Sequence, residues 1–127
     1  MEAELSPGEI VLAILNFVRQ KRFSADREKI HSFFLKMRKD YPQLLKTIGF
    51  RDGIFCPESS FLDQALANLI AGRILEQYLG QPRYYELTNR INEAFEQYIQ
   101  PKLSPKAIKI CQRIAAEFEN ELSVKYN

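Results

Sequence analysis

The sequence predicts a single, mostly helical α+β domain that carries one short two-stranded hairpin. Three observations predict it. Apolar residues recur at helical spacing in several separate segments, and Ser or Pro opens most of them. One stretch, 73–87, instead places aliphatic and aromatic runs on either side of Gly80-Gln81-Pro82, which is a turn signal. The composition, 46% hydrophobic and 27% charged over 127 residues, is that of one globular domain able to bury a real core.

Ser6-Pro7-Gly8-Glu9 reads as a helix start, with Ser at the cap, Pro in the first turn and Glu at the capping-box position. Ile10, Val11, Ile14, Leu15, Phe17 and Val18 give this first helix a broad apolar face, and it is expected to stop near Lys21. Phe23-Ser24 is read as opening a second helix, with Ser24 as its cap and Glu28 near its first turn. Ile30, Phe33, Phe34 and Met37 form one face, and the remaining positions are mostly Lys and Arg. Pro42 starts a short helix through Leu44, Leu45 and Ile48, which Gly49 stops.

Phe50 to Cys56 contains an Asp-Gly turn signal and reads as a loop with a short strand. Pro57-Glu58-Ser59-Ser60 begins the next helix, whose apolar set is Phe61, Leu62, Ala65, Leu66, Leu69 and Ile70. Gly72 is expected to close it, since glycine takes the closing conformation without Cβ strain. Residues 73–79 and 83–87 are the two strands of the hairpin. Thr88 then caps a helix through Ile91, Phe95, Tyr98 and Ile99 that Pro101 ends. Ser104-Pro105 caps the last helix, where Ile108, Cys111, Ala115, Phe118 and Leu122 are spaced 3-4-3-4. That seam spans only about two heptads. It has two readings, a helix covering the core or a homodimer contact.

Charge is unevenly distributed. Residues 19–51 carry Arg19, Lys21, Arg22, Arg27, Lys29, Lys36, Arg38, Lys39, Lys46 and Arg51 against Asp26, Glu28 and Asp40, a net +7 in a chain of net +2. Such a stretch is either an electrostatic footprint for nucleic acid or a solvated helix surface that happens to be basic. Cys56 and Cys111 lack any CxxC context and read as small, half-buried apolar residues, with a disulfide between them as the alternative. With one His and two Cys the chain is short of the four ligands of a structural zinc site, so no metal is expected.

No catalytic set is expected either. His31 stands alone, and the five glycines form no phosphate-binding pattern. No GxSxG elbow occurs. Glu93 with Glu96 and Glu117 with Glu121 read as solvated helix faces. The expectation is therefore a protein that is not an enzyme and takes no cofactor. No apolar run approaches the ~18 residues of a membrane span, so no membrane partner is expected. The acidic start Met1-Glu2-Ala3-Glu4 is unlike a secretory leader, which points to a cytoplasmic location.

Leu66-Ala67-Asn68-Leu69-Ile70-Ala71-Gly72-Arg73-Ile74, followed by Tyr85-Glu86-Leu87-Thr88, resembles the winged-helix family of helix-turn-helix domains. In that family a leucine-rich helix ends in Gly and is followed by a strand, a turn and a strand that steps through Leu-Thr into the next helix. The resemblance covers 57–88 well and 10–50 loosely. It implies a winged-helix-like domain with two extra C-terminal helices, at about 88–100 and 104–124. Phe55-Cys56-Pro57-Glu58-Ser59 is faintly similar to small prokaryotic domains of the Panacea antitoxin type, with Glu58 where their Tyr would be.

The resemblance implies two functions. One is a DNA-binding transcription regulator of prokaryotic type. The helix from Pro57 to Ala71 offers Ser59, Ser60, Gln64 and Asn68 for polar contacts, but it carries Glu58 and Asp63 and no Lys or Arg, so its carboxylates would repel phosphates where a reader of base edges presents cations. Phosphates would then be met by Arg22, Arg27, Lys29, Lys36, Arg38 and Lys39, with Arg73 and Arg83 at the wing. The other is a protein–protein interaction module (antitoxin, adaptor or assembly subunit), with Tyr78, Tyr84 and Tyr85 as candidate contacts or else ordinary strand residues with one face in the core. Whether the bases converge on one face decides between them.

Overall fold

A computed structural model describes residues 5–54 and 56–124. The acidic start Met1–Glu4, Phe55 and residues 125–127 lie outside the described residues. The chain is α+β and mostly helical. In order, it forms α1 (Pro7–Asn16), β1 (Arg22–Ser24), α2 (Arg27–Asp40), α3 (Pro42–Leu45), β2 (Arg51–Asp52), β3 (Pro57–Glu58), α4 (Ser60–Ala71), β4 (Leu75–Tyr78), β5 (Tyr84–Leu87), α5 (Arg90–Ala94), a π turn (Phe95–Ile99), a 3-10 turn (Gln100–Lys102) and α6 (Pro105–Leu122).

The first helix starts as its sequence dictates. Ser6 and Glu9 exchange both bonds of a capping box, at 3.2 and 3.0 Å. Ile10 to Leu15 are all buried, so α1 is a central rod with apolar contacts on every side rather than on one stripe. It packs against α4, α6, α5 and the π turn. The helix ends at Asn16, before the expected Lys21, because the chain must turn to reach the sheet.

Phe23 and Ser24 do not open a helix. Arg22–Ser24 is a strand that pairs antiparallel with β5, Phe23 opposite Tyr85 and Arg22 opposite Glu86. The cap of α2 is Asp26, whose carboxylate accepts from the Lys29 amide at 3.3 Å, while the Ser24 hydroxyl accepts from the Asp26 amide. The sheet order is β1-β5-β4, so the hairpin at 75–87 gains a third strand from far upstream. The outer edge of β1 is closed by an antiparallel bridge between Phe23 and Ser123 and by the Val124 amide donating to the Arg22 carbonyl at 3.0 Å. Among the described residues, that leaves β4 as the open edge.

Two further strands also differ from expectation. Arg51–Asp52 pairs with Pro57–Glu58, so α4 begins at Ser60 with Ser59 as its cap, not at Pro57. The segment after α4 closes differently too. Gly72 has φ −81°, and the left-handed residue is Arg73, with φ 60°. The Arg73 amide donates to the Ile70 carbonyl at 3.0 Å and the Ile74 amide to the Leu69 carbonyl at 2.9 Å, the paired bonds of a Schellman motif. An arginine thus occupies the position where glycine is favoured, one residue beyond the glycine available. Arg73→Gly is expected to stabilise the fold by about 1 kcal/mol, read as a rise in the urea midpoint at unchanged slope.

Thr88 acts mainly as a donor. Its hydroxyl donates to the Arg73 and Ile74 carbonyls at 2.7 and 3.3 Å, tying the base of the hairpin, and Asn89 stands at the cap of α5. The helix through Ile99 changes from α to π winding at Phe95 and ends in the 3-10 turn that holds Pro101. The seam of α6 faces the chain's own core: Ala107, Cys111, Ile114, Ala115, Phe118 and Leu122 are buried and Ile108 is half-buried. Of its two readings, the seam thus takes the one in which the helix covers the chain's own core. Both cysteines are free thiols, and burial pushes Cys111 up to about 12.

Candidate functional site

The surface around α4 and the hairpin is built on a polar joint that the sequence did not reveal. His31, on α2, is fully buried. Its Nδ1 accepts from the Ser59 amide at 3.0 Å, and its Nε2 lies 2.9 Å from Asp63 Oδ1. Because the Ser59 backbone amide can only donate, Nδ1 carries no proton and Nε2–H donates to the carboxylate, which assigns the neutral imidazole. Burial pushes His31 below its ordinary value, against the opposing pull of Asp63.

Asp63 is shared. Arg27 grips it through Nε and Nη2 at 3.2 and 2.7 Å and reaches Glu58 at 3.3 Å. Partial burial works to raise the Asp63 carboxyl, but the hydrogen bonds from Arg27 and His31 outweigh it and hold it below the usual carboxylate range. Arg51 pairs with Glu58 from the β2–β3 ribbon at 3.0 Å. The start of α4 is thus clamped to α2 and to that ribbon by an alternating set of charges.

The basic candidates separate into two groups. Arg22 bonds the directly opposed Glu86 at 3.0 Å and lies 5.3 Å over the Tyr84 ring. Arg27 is engaged as above, and Lys36 is paired with Glu121 of α6. Lys29, Arg38, Lys39, Arg73 and Arg83 form no ion pair with a described residue. They do not converge. The Ala25 amide donates to the Arg83 carbonyl, so Arg83 lies toward the same end of α2 as Lys29. Arg38 and Lys39 sit in the last turn of that helix, about 14 Å further along at 1.5 Å per residue. Arg73 lies at the base of the hairpin, the end away from the turn.

The three tyrosines also divide. Strand alternation puts Tyr84 and Tyr78 on one face, where their rings stack at 4.7 Å. Tyr84 is buried between Tyr78 and Arg22, and Tyr78 remains 38% exposed. Its hydroxyl donates to Glu76 at 3.0 Å, which pushes it up to about 12. Tyr85 faces inward against Phe23 at 5.4 Å. Only Tyr78 offers a substantial contact surface, and the exposed neighbour that sequence reasoning missed is Leu79, 67% exposed.

The outer face of α4 carries Phe61, Gln64, Asn68 and Ala71 at 3-4-3 spacing, all exposed. Phe61 is 53% exposed, and Gln64 Nε2 donates to Asn68 Oδ1 at 2.9 Å. The two amides that base edges would need are bonded to each other. Among the described residues, no group of three or more His, Cys, Asp or Glu is placed to hold a metal ion, and no helix is long and apolar enough to cross a membrane. Set against known proteins, the chain matches no family model, no curated protein and no solved structure.

Proposed function

We propose that this chain is a non-catalytic, winged-helix-type module that docks a protein partner through the outer face of α4 and the β4–β5 hairpin. Support for the winged-helix reading comes from the order α1-β1-α2, then α4-β4-β5 after the interposed α3 and β2–β3 ribbon, together with the sheet order β1-β5-β4, in which the early strand joins the hairpin. The docking reading is carried by the α4 surface. It holds no cation, its Gln64 and Asn68 satisfy one another, and it exposes Phe61. Phosphates would meet Asp63 and Glu58 at its start, with Arg27 already engaged by both. A protein surface with an apolar centre and a polar rim fits this face better than a polyanion does.

Two measurements test it. Duplex DNA at low salt is expected to show no binding in the micromolar range, where phosphate-only contact would place it. A stoichiometric partner recovered from the native host on the wild-type chain is expected to be lost on Phe61→Asp or Leu79→Asp, both at exposed positions that leave the fold intact. Micromolar DNA binding that weakens with salt would return the function to nucleic-acid regulation. Retention of the partner by both variants would remove this face from the interaction.

A further inference from the structure

On a different part of the molecule, α3 and the residues just after it face the start of α6 across a cleft of about 160 Å³. Leu5, Leu44, Leu103, Ala107 and Ile110 supply its apolar walls. The Thr47 hydroxyl donates to the Leu5 carbonyl at 3.2 Å, fixing the incoming chain as one side of the opening. Lys46, Lys102 and Lys106 stand around the cleft, Gln43 adds a neutral amide, and among the described residues no carboxylate lines it. Lys102 pairs with Glu9, which lies outside the lining, and Lys46 is engaged as well, whereas Lys106 makes no ion pair with a described residue. Apolar walls beneath a cationic rim select a molecule with the matching division, an apolar body and an anionic head.

We infer that this cleft binds a small organic monocarboxylate with an apolar tail. Size limits the tail, since a cavity of about 150 Å³ admits a six-carbon hydrocarbon ring. Each methylene transferred from water to the walls favours binding, while Lys106 favours the charged head over a neutral one. Bare inorganic anions gain only the second contribution, and neutral alcohols only the first. The inference is independent of the proposed docking face, because the cleft shares no residue with α4 or the hairpin.

The experiment is an NMR titration of the full chain with hexanoate, 1-hexanol and inorganic phosphate, followed through the signals of Leu44, Thr47, Leu103 and Ile110. Hexanoate is expected to bind with a dissociation constant of about 1 mM or tighter. Hexanol and phosphate are each expected to bind more weakly by about fivefold or more. Lys106→Gln is expected to weaken hexanoate by about threefold and leave hexanol unchanged. Lys109→Gln, on the same helix but outside the cleft, should change neither. Equal affinity for hexanoate and hexanol, equal affinity for hexanoate and phosphate, or no response of these signals at about 10 mM hexanoate would overturn the assignment.

Discussion

Replacing Phe118 with alanine is expected to remove about 3–5 kcal/mol of folding stability. The reason is position. Phe118 is 1% exposed and sits where three elements meet: its ring lies 4.9 Å from Phe23 of β1, 5.3 Å from Phe33 and 6.3 Å from Phe34 of α2. The Phe23 and Phe33 contacts are edge-to-face, at 72° and 82°, an arrangement worth about 0.5–1.5 kcal/mol per pair beyond buried area. Truncation leaves an apolar void that α6, β1 and α2 cannot all close on at once, because β1 is held in register by β5. A domain of this size is stable by about 5–15 kcal/mol, so the loss would take a large share of the total. Urea unfolding followed by circular dichroism is the measurement, with a lowered midpoint at constant slope expected. Phe118→Leu should lose about half as much, since it keeps the apolar contact and gives up the ring. A cost below about 1 kcal/mol for the alanine variant would mean that α6 does not anchor the core as described.

The same ring shows where sequence reasoning succeeds and where it stops. The 3-4-3-4 seam that contains Phe118 is legible because helical spacing reports a buried face directly. What covers the face is not legible, since a seam buried by its own chain and a seam buried by a second copy share one pattern. The hairpin was legible from a largely aliphatic run and an aromatic run flanking Gly80-Gln81-Pro82, a purely local signal. β1 was not. It is three residues long, its partners are Tyr84, Tyr85 and Glu86, and Ser24 and Asp26 are both good helix caps, so the local signal favoured the wrong one. The helix stop at 72–73 shows a similar limit, because propensity put the strained position on the glycine and the chain put it on Arg73.

The candidate site suffered most from this limit. Summed charge marked 19–51 as basic, but charge is neutralised by contacts and not by sums. Glu86, Asp63 and Glu121 come from β5, α4 and α6, and each removes one cation of the basic stretch from the free surface. The amide pair Gln64–Asn68 stands at the readable spacing of i,i+4, where each side chain can satisfy the other and neither is left for a base edge.

His31 gives the second large effect, and its sign can be worked out. The chain holds one histidine, so among side chains the window from about pH 5 to 7 reports on that residue. Folding lowers its affinity for protons, because burial disfavours the imidazolium and a proton on Nδ1 would confront the Ser59 amide that now donates to it. The unfolded chain therefore binds more protons across the window. Stability is fully present above about pH 6.5 and is lost as the pH falls toward the lowered folded-state value. Asp63 adds a loss of the same direction lower down, below about pH 4, since its carboxyl is held below the ordinary value in the folded chain. His31→Leu separates these contributions. It roughly keeps the side-chain volume but leaves the buried Ser59 amide without an acceptor, for an expected loss of about 1–3 kcal/mol at pH 8. It should also abolish the dependence between about pH 7 and 5, so the two stability curves converge on acidification. Urea midpoints measured at half-unit pH steps would show this. A variant that keeps the wild-type slope through the window would place the responsible proton elsewhere and dissolve the clamp between α2 and α4.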